Sequence, residues 1–148
     1  MAVTASFSEQ FLYEILKHLD SPRDLKVCLM NTTFAYDPET HAKYSDISAD
    51  EIATGYGYTQ KTKALANVAV SIDAGNGRVQ IDCDSPTWTA TGDVLPAIGS
   101  AVIIDDDHAD DVVVCCIDFG VDYITLEDTM FMLNCNDGLA EATGAILS

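Results

Sequence analysis

The sequence predicts a mainly-β protein, an antiparallel β-sandwich or barrel carrying an N-terminal amphipathic helix. Three observations predict it. Apolar residues alternate with period two in short runs from Leu25 onward, turn residues separate those runs, and only one segment has a convincing helical period. The 148 residues fit a single domain, 1–148, with a helix or arm over 1–20, a β domain over 24–135 and a weakly patterned, partly mobile tail over 137–148.

The helix is predicted over Ser6 to Leu19, where Phe7, Phe11, Leu12, Ile15, Leu16 and Leu19 recur at helical spacing. Ser21-Pro22 stops it, because proline cannot continue the hydrogen-bond ladder. Leu25, Val27 and Leu29 alternate as a strand, and Phe34 to Pro38 follow as a loop. Ser48-Ala49-Asp50-Glu51 has the form of a capping box, starting a short helix that Gly55-Tyr56-Gly57 would end. Val68, Val70 and Ile72, the turn Ala74 to Gly77, and Val79, Ile81 and Cys83 read as a hairpin. Further strands are expected around Trp88, over Ser100 to Ile104, over Asp111 to Phe119 and within Tyr123 to Asn134, with a turn at Gly120 and Asp122. The expected core is Val68, Val70, Ile72, Val79, Ile81, Trp88, Val102, Ile104, Val113 and Ile117.

Charge is distributed unevenly. The net charge is −17; Met1 to Arg78 holds all seven basic residues and ten acidic ones, and Val79 to Ser148 holds fourteen acidic residues and no Lys or Arg. A polyanionic partner needs cationic contacts, so nucleic acid is disfavoured, and so is an anionic membrane surface. No apolar run approaches a membrane span, and the start of the chain lacks the pattern of a signal peptide, so synthesis in a cytoplasm is expected. The plain reading of the charge is an acidic, solvated surface. The sharper one is polarity, with the N-terminal half touching a partner and the acidic half facing water.

No constellation for chemistry stands out. The five cysteines, Cys28, Cys83, Cys115, Cys116 and Cys135, are odd in number and lack a Cys-x-x-Cys, so free thiols are expected and no zinc site. Asp105-Asp106-Asp107 with Asp110 and Asp111 could ligate a weak calcium ion, but the twelve-residue loop pattern is missing and a solvated turn is the plainer reading. Gly55-Tyr56-Gly57 begins like a dinucleotide fingerprint, but Gln60 stands where the third glycine belongs. His41 near Asp37 and Ser45 invites a triad; a turn in which Asp37 caps its own backbone fits the residues better. No catalytic residue, cofactor or metal is therefore expected. Four tyrosines crowd a loop-like stretch, and tyrosine is enriched at interfaces. The expected partner contacts are Phe7, Phe11, Phe34, Tyr36, Tyr44, Tyr56 and Tyr58.

The strand-like Leu25 to Met30, then Phe34-Ala35-Tyr36-Asp37-Pro38-Glu39-Thr40-His41, Tyr44-Ser45-Asp46-Ile47-Ser48 and Gly55-Tyr56-Gly57-Tyr58-Thr59, resemble a group of small tailed-phage and prophage structural proteins. Val112 to Gly120 fits the same group, while Gln60-Lys61-Thr62-Lys63 departs from the glycine-rich sequence usual after the Tyr-Thr. The resemblance implies a virion component without enzymatic activity. The expected role is a capsid decoration (cement) protein on the outer surface of the shell, bound to the major capsid protein as a homo-trimer. The alternatives are a neck, tail or fibre component, and a glycan-binding module.

Overall fold

A computed structural model describes residues 8–19, 23–135 and 140–143. The chain is mainly β, its sheets are antiparallel, and none closes into a barrel. The residues cluster into two compact units, one of 1–23, 66–84 and 134–148, the other of 24–65 and 85–133.

In the first unit, strands β3 (Ala69–Asp73) and β4 (Arg78–Asp82) form the expected hairpin, and β9 (Ala140–Thr143) pairs with the other edge of β4. The expectation of a mobile tail is corrected at 140–143, which is strand. Val70, Val79 and Ile81 are buried, but Ile72 is 37% exposed and leaves the expected core. Asp73 explains the sharp reversal, since its carboxylate accepts from Asn76 Nδ2 at 2.7 Å and Arg78 Nε at 3.0 Å. Helix α1 (Glu9–Leu16) runs on into a 3-10 turn, Lys17–Leu19. Phe7 and the Phe11 side chain lie outside the described residues, and Ile15 is 47% exposed.

The second unit is built on a four-stranded sheet, β2-β1-β6-β7, with β1 (Leu25–Met30), β2 (Lys63–Ala64), β6 (Leu95–Asp105) and β7 (Val112–Thr125). A two-stranded ladder joins β5 (Thr87–Thr89) to β8 (Met130–Met132). Alternation in Leu25, Val27 and Leu29 predicts one buried face, yet Cys28 and Met30 are fully buried as well. Both faces of β1 are covered. On one, Cys28, Met30, Val102 and Ile104 pack with Ile47 of helix α2 (Tyr44–Ile47). On the other, Lys63 stands opposite Val27, and its ammonium lies 5.3 Å from the centre of the Trp88 ring and bonds Thr87 O at 2.6 Å. Val113 and Ile117, expected in the core, are half-buried, because β7 is the edge of the sheet.

Two turn expectations are corrected. Ser48 does not open a helix: it is the C-cap of α2, and Asp46 makes the N-terminal contact, accepting from the backbone N–H of Ala42 and Lys43 at 3.1 and 3.0 Å. Gly120 and Asp122 do not reverse the chain. β7 continues through them against β6, and the register slips between the Ile98–Tyr123 and Ser100–Asp118 pairs. Gly120 takes φ +68°, so a bulge absorbs what composition suggests is a turn.

Trp88 is 3% exposed. Trp88→Ala should cost about 3–5 kcal/mol in urea unfolding. A loss within error of zero would place the ring outside the load-carrying core.

Candidate interaction surface and the buried network behind it

The stretch that carries most of the expected contacts is organised by one buried carboxylate. Glu51 is 5% exposed and forms an isolated bridge with Met30, which points it into the cluster around Cys28. Tyr44 Oη donates to Glu51 Oε2 at 2.6 Å. Tyr58 Oη donates to Oε1 at 2.5 Å, and the Lys61 backbone N–H to the same oxygen at 2.9 Å. Three donors compensate the desolvation of the charge.

Tyr58 also completes the strand ladder. β2 pairs with β1 at Lys26 and Val27, and the segment 50–52 pairs with its far end through Ile52 N–H to Leu29 O and Asn31 N–H to Asp50 O. The Leu29 N–H between them donates to Tyr58 Oη at 2.9 Å. Every buried N–H needs a partner, and a phenol supplies this one. Burial first, then the bond to Glu51, pushes the hydroxyls of Tyr58 and Tyr44 well above the usual phenol range. Burial likewise raises the thiols of Cys28, Cys83, Cys115 and Cys116, which keeps them protonated and weakly nucleophilic at neutral pH.

Tyr58 reaches Glu51 through a tight turn. Gly55 and Tyr58 exchange both backbone bonds, at 2.9 and 3.0 Å, with Tyr56 and Gly57 between them at φ +53° and +91°. A Cβ on Gly57 would lie 2.0 Å from Thr89 O, so the close approach requires glycine. The Gly-Tyr-Gly is thus a hairpin turn against Thr89, and neither a helix end nor a phosphate loop.

The acidic loop is partly neutralised from the N-terminal half. Lys61 Nζ bonds Asp111 Oδ2 at 2.7 Å and Asp106 Oδ1 at 2.9 Å, and lies 5.2 Å from the centre of the Tyr44 ring. Lys26 sits 3.0 Å from Asp24 and 4.0 Å from Asp106. Asp107 Oδ2 accepts from the Asp24 N–H at 2.8 Å. These carboxylates have protein partners, and among the described residues no group of three His, Cys, Asp or Glu is arranged to hold a metal ion.

Asp37 does cap its own turn: Oδ1 accepts the Glu39 N–H at 2.9 Å and Oδ2 the Thr40 hydroxyl at 3.0 Å. Those bonds hold its carboxyl below the usual range. His41 Nδ1 accepts the Asp37 backbone N–H at 3.0 Å, and its ring stacks on Phe34 at 5.2 Å and lies 5.9 Å from Tyr36. Two open clefts of about 360 and 270 Å³ flank Phe34, and Asp118 lines both.

Of the expected contact residues, Tyr36 and Tyr56 are exposed, and Phe34 and Tyr44 are half-buried. Tyr58, expected as a surface contact, is instead 1% exposed and a core residue, bonded to Glu51 and Leu29. Sequence reasoning missed Glu51, because a Ser-x-x-Glu spacing fits a capping box. It also missed Lys26 and Lys61 as partners for Asp106, distant in the chain from both. Comparison with family models, curated proteins and solved structures finds no match.

Glu51→Leu should destabilise by about 3 kcal/mol in urea unfolding, with Glu51→Gln nearer 1 kcal/mol because one acceptor oxygen survives. Equal stability of both variants and the wild type would make the network incidental.

The Lys61 cluster predicts a pH dependence. The bond from Lys61 holds the Asp106 carboxyl below its ordinary 3.8, and the bonds to Asp111 and Asp106 hold the Lys61 ammonium above its ordinary 10.5. The Asp106 contribution is present above 3.8 and lost as pH falls through its lowered folded value. The Lys61 contribution is present below 10.5 and lost as pH rises through its raised folded value. The gap in urea midpoint between wild type and Lys61→Met should therefore be present at neutral pH and close on acidification below 3.8. A gap independent of pH would assign the effect to the ammonium over the Tyr44 ring.

Proposed function

We propose that the chain is a structural component of a tailed-phage particle, a decoration subunit that binds the major capsid protein on the outer shell and needs no catalysis. The observation that carries the reading is the resemblance over Leu25 to Thr59 and Val112 to Gly120. What supports it is where those stretches fall. They lie in one compact unit and supply its main parts: β1, the Asp37 turn, α2, Glu51, the Gly55–Tyr58 turn and β7. The matched residues are thus parts of one folded body.

In this reading the architecture is a sandwich with the N-terminal amphipathic helix as an arm, and the assembled form is a trimer. Decoration requires a rigid body and a contact face. The buried Glu51 network supplies the first, and an acidic exterior keeps finished particles apart through like-charge repulsion. Its work is done by surface, with no membrane or nucleic acid as partner.

Quantitative mass spectrometry of purified particles from a phage encoding this chain tests the proposal. Copies in the hundreds per particle are expected for the shell. A few copies would move it to the neck, tail or fibre, and its absence from particles would overturn the reading.

A further inference from the structure

All five cysteines are free thiols, and two of them meet. The thiol of Cys83 is in hydrogen-bond contact with that of Cys135. Both residues belong to the first compact unit. Cys135 is 2% exposed, and Cys83 is half-buried.

The backbone explains the meeting. Val79 and Ile81 are buried on one face of β4, and Cys83 follows them at the same period of two. The chain just beyond β4 is held in place: the Asp84 N–H donates to Ala66 O at 2.9 Å, and Asn67 Nδ2 to Asp84 Oδ2 at 2.7 Å. The segments that lead to the two cysteines run antiparallel. Thr87 faces Met132 in the β5–β8 ladder, and the Leu133 N–H donates to Pro86 O at 3.0 Å. Cys83 precedes the first of these paired segments and Cys135 follows the second. Thiols already in contact can be bridged without large backbone movement.

The other three cysteines are placed differently. Cys28 is fully buried with Met30, Ile47, Val102 and Ile104. Cys115 and Cys116 are neighbours on β7, where successive side chains point to opposite faces.

Burial and the bond to Cys135 push the Cys83 thiol up to about 12. Its thiolate is scarce at neutral pH, so exchange with a disulfide is slow. A thiol of this kind is also a poor leaving group, so a disulfide made from it resists reduction. Slow to form and hard to break describes a structural bond and not a catalytic thiol pair.

We infer that Cys83 and Cys135 are a disulfide-forming pair, joined when the reduced chain meets a small disulfide oxidant. The reaction is two successive exchanges. The Cys83 thiolate attacks one sulfur of the oxidant, breaks its S–S bond and expels one thiolate, leaving a mixed disulfide. The Cys135 thiol gives up its proton, attacks the Cys83 sulfur and expels the second thiolate. Two protein thiols lose two electrons, the oxidant is reduced to two thiols, and the two protons pass to them. The bond closes residues 84–134 into a loop, which restricts the unfolded chain and favours the folded one. None of this depends on the proposed function.

The test incubates the reduced full chain with oxidised glutathione, then unfolds it in N-ethylmaleimide to block the remaining thiols. A protease that cleaves before aspartate follows, since Asp84 and Asp118 separate Cys83, the Cys115–Cys116 pair and Cys135 into different peptides. Mass spectrometry should find the peptides of Cys83 and Cys135 joined, with Cys28, Cys115 and Cys116 blocked. Free thiols should fall from five to three. The urea midpoint should rise on oxidation and return with dithiothreitol, and Cys83→Ser should show neither change. The peptide map is read on the wild type, so it decides the matter even if the variant does not fold. Glutathione retained on Cys83 with Cys135 blocked would overturn the inference, because the second sulfur would then be out of reach. Oxidation at Cys115 and Cys116, a link between two chains, or five thiols still free would overturn it too.

Discussion

The second unit depends on the placement of one carboxylate. A buried charge is costly unless its hydrogen bonds are made, and Glu51 makes them with three donors from three places in the chain: the Tyr44 and Tyr58 hydroxyls and the Lys61 amide. Each bond holds something beyond itself. Tyr44 anchors α2, Tyr58 closes the gap in the β1 ladder at Leu29, and Lys61 carries its ammonium to Asp106 and Asp111. A half-satisfied version of the same network would be worse than an apolar core, so its members stand or fall together.

The network also recasts the meaning of the tyrosine-rich stretch. Its aromatic residues look like a contact surface when counted along the chain. In three dimensions Tyr58 faces inward and Tyr44 is half-buried against Glu51, while Phe34 and Tyr36 gather on His41. The apolar residues that do face solvent are concentrated at Val121 to Met132, within the acidic half.

Much of the β architecture was legible in the sequence, because period-two alternation directly reports a pleated strand with one buried face. The hairpin of β3 and β4, the strand β1 and the burial of Val70, Val79, Ile81, Trp88, Val102 and Ile104 follow from it. What alternation does not report is long-range. The full burial of Cys28 and Met30 depends on a segment twenty residues on folding over them, and β7 outlasts its glycine because β6 pairs with it on both sides of the bulge. Local signals also compete: Ser48 and Glu51 have the spacing of a cap, and the bridge of Glu51 to Met30 with its bonds to Tyr44 and Tyr58 decides otherwise. Exposure at Ile124 and Leu126 has no local signature at all, since an apolar residue reads as core until its neighbours are known.

The second unit is thus a body whose strands, turn and short helix are tied to one satisfied carboxylate. Hydrogen exchange compared between the wild type and Glu51→Gln tests that account most directly. The Leu29 and Lys61 amides, which donate to Tyr58 Oη and Glu51 Oε1, should lose protection in the variant, while the hairpin of β3 and β4 keeps its own. Unchanged protection of the Leu29 and Lys61 amides in Glu51→Gln would contradict the account.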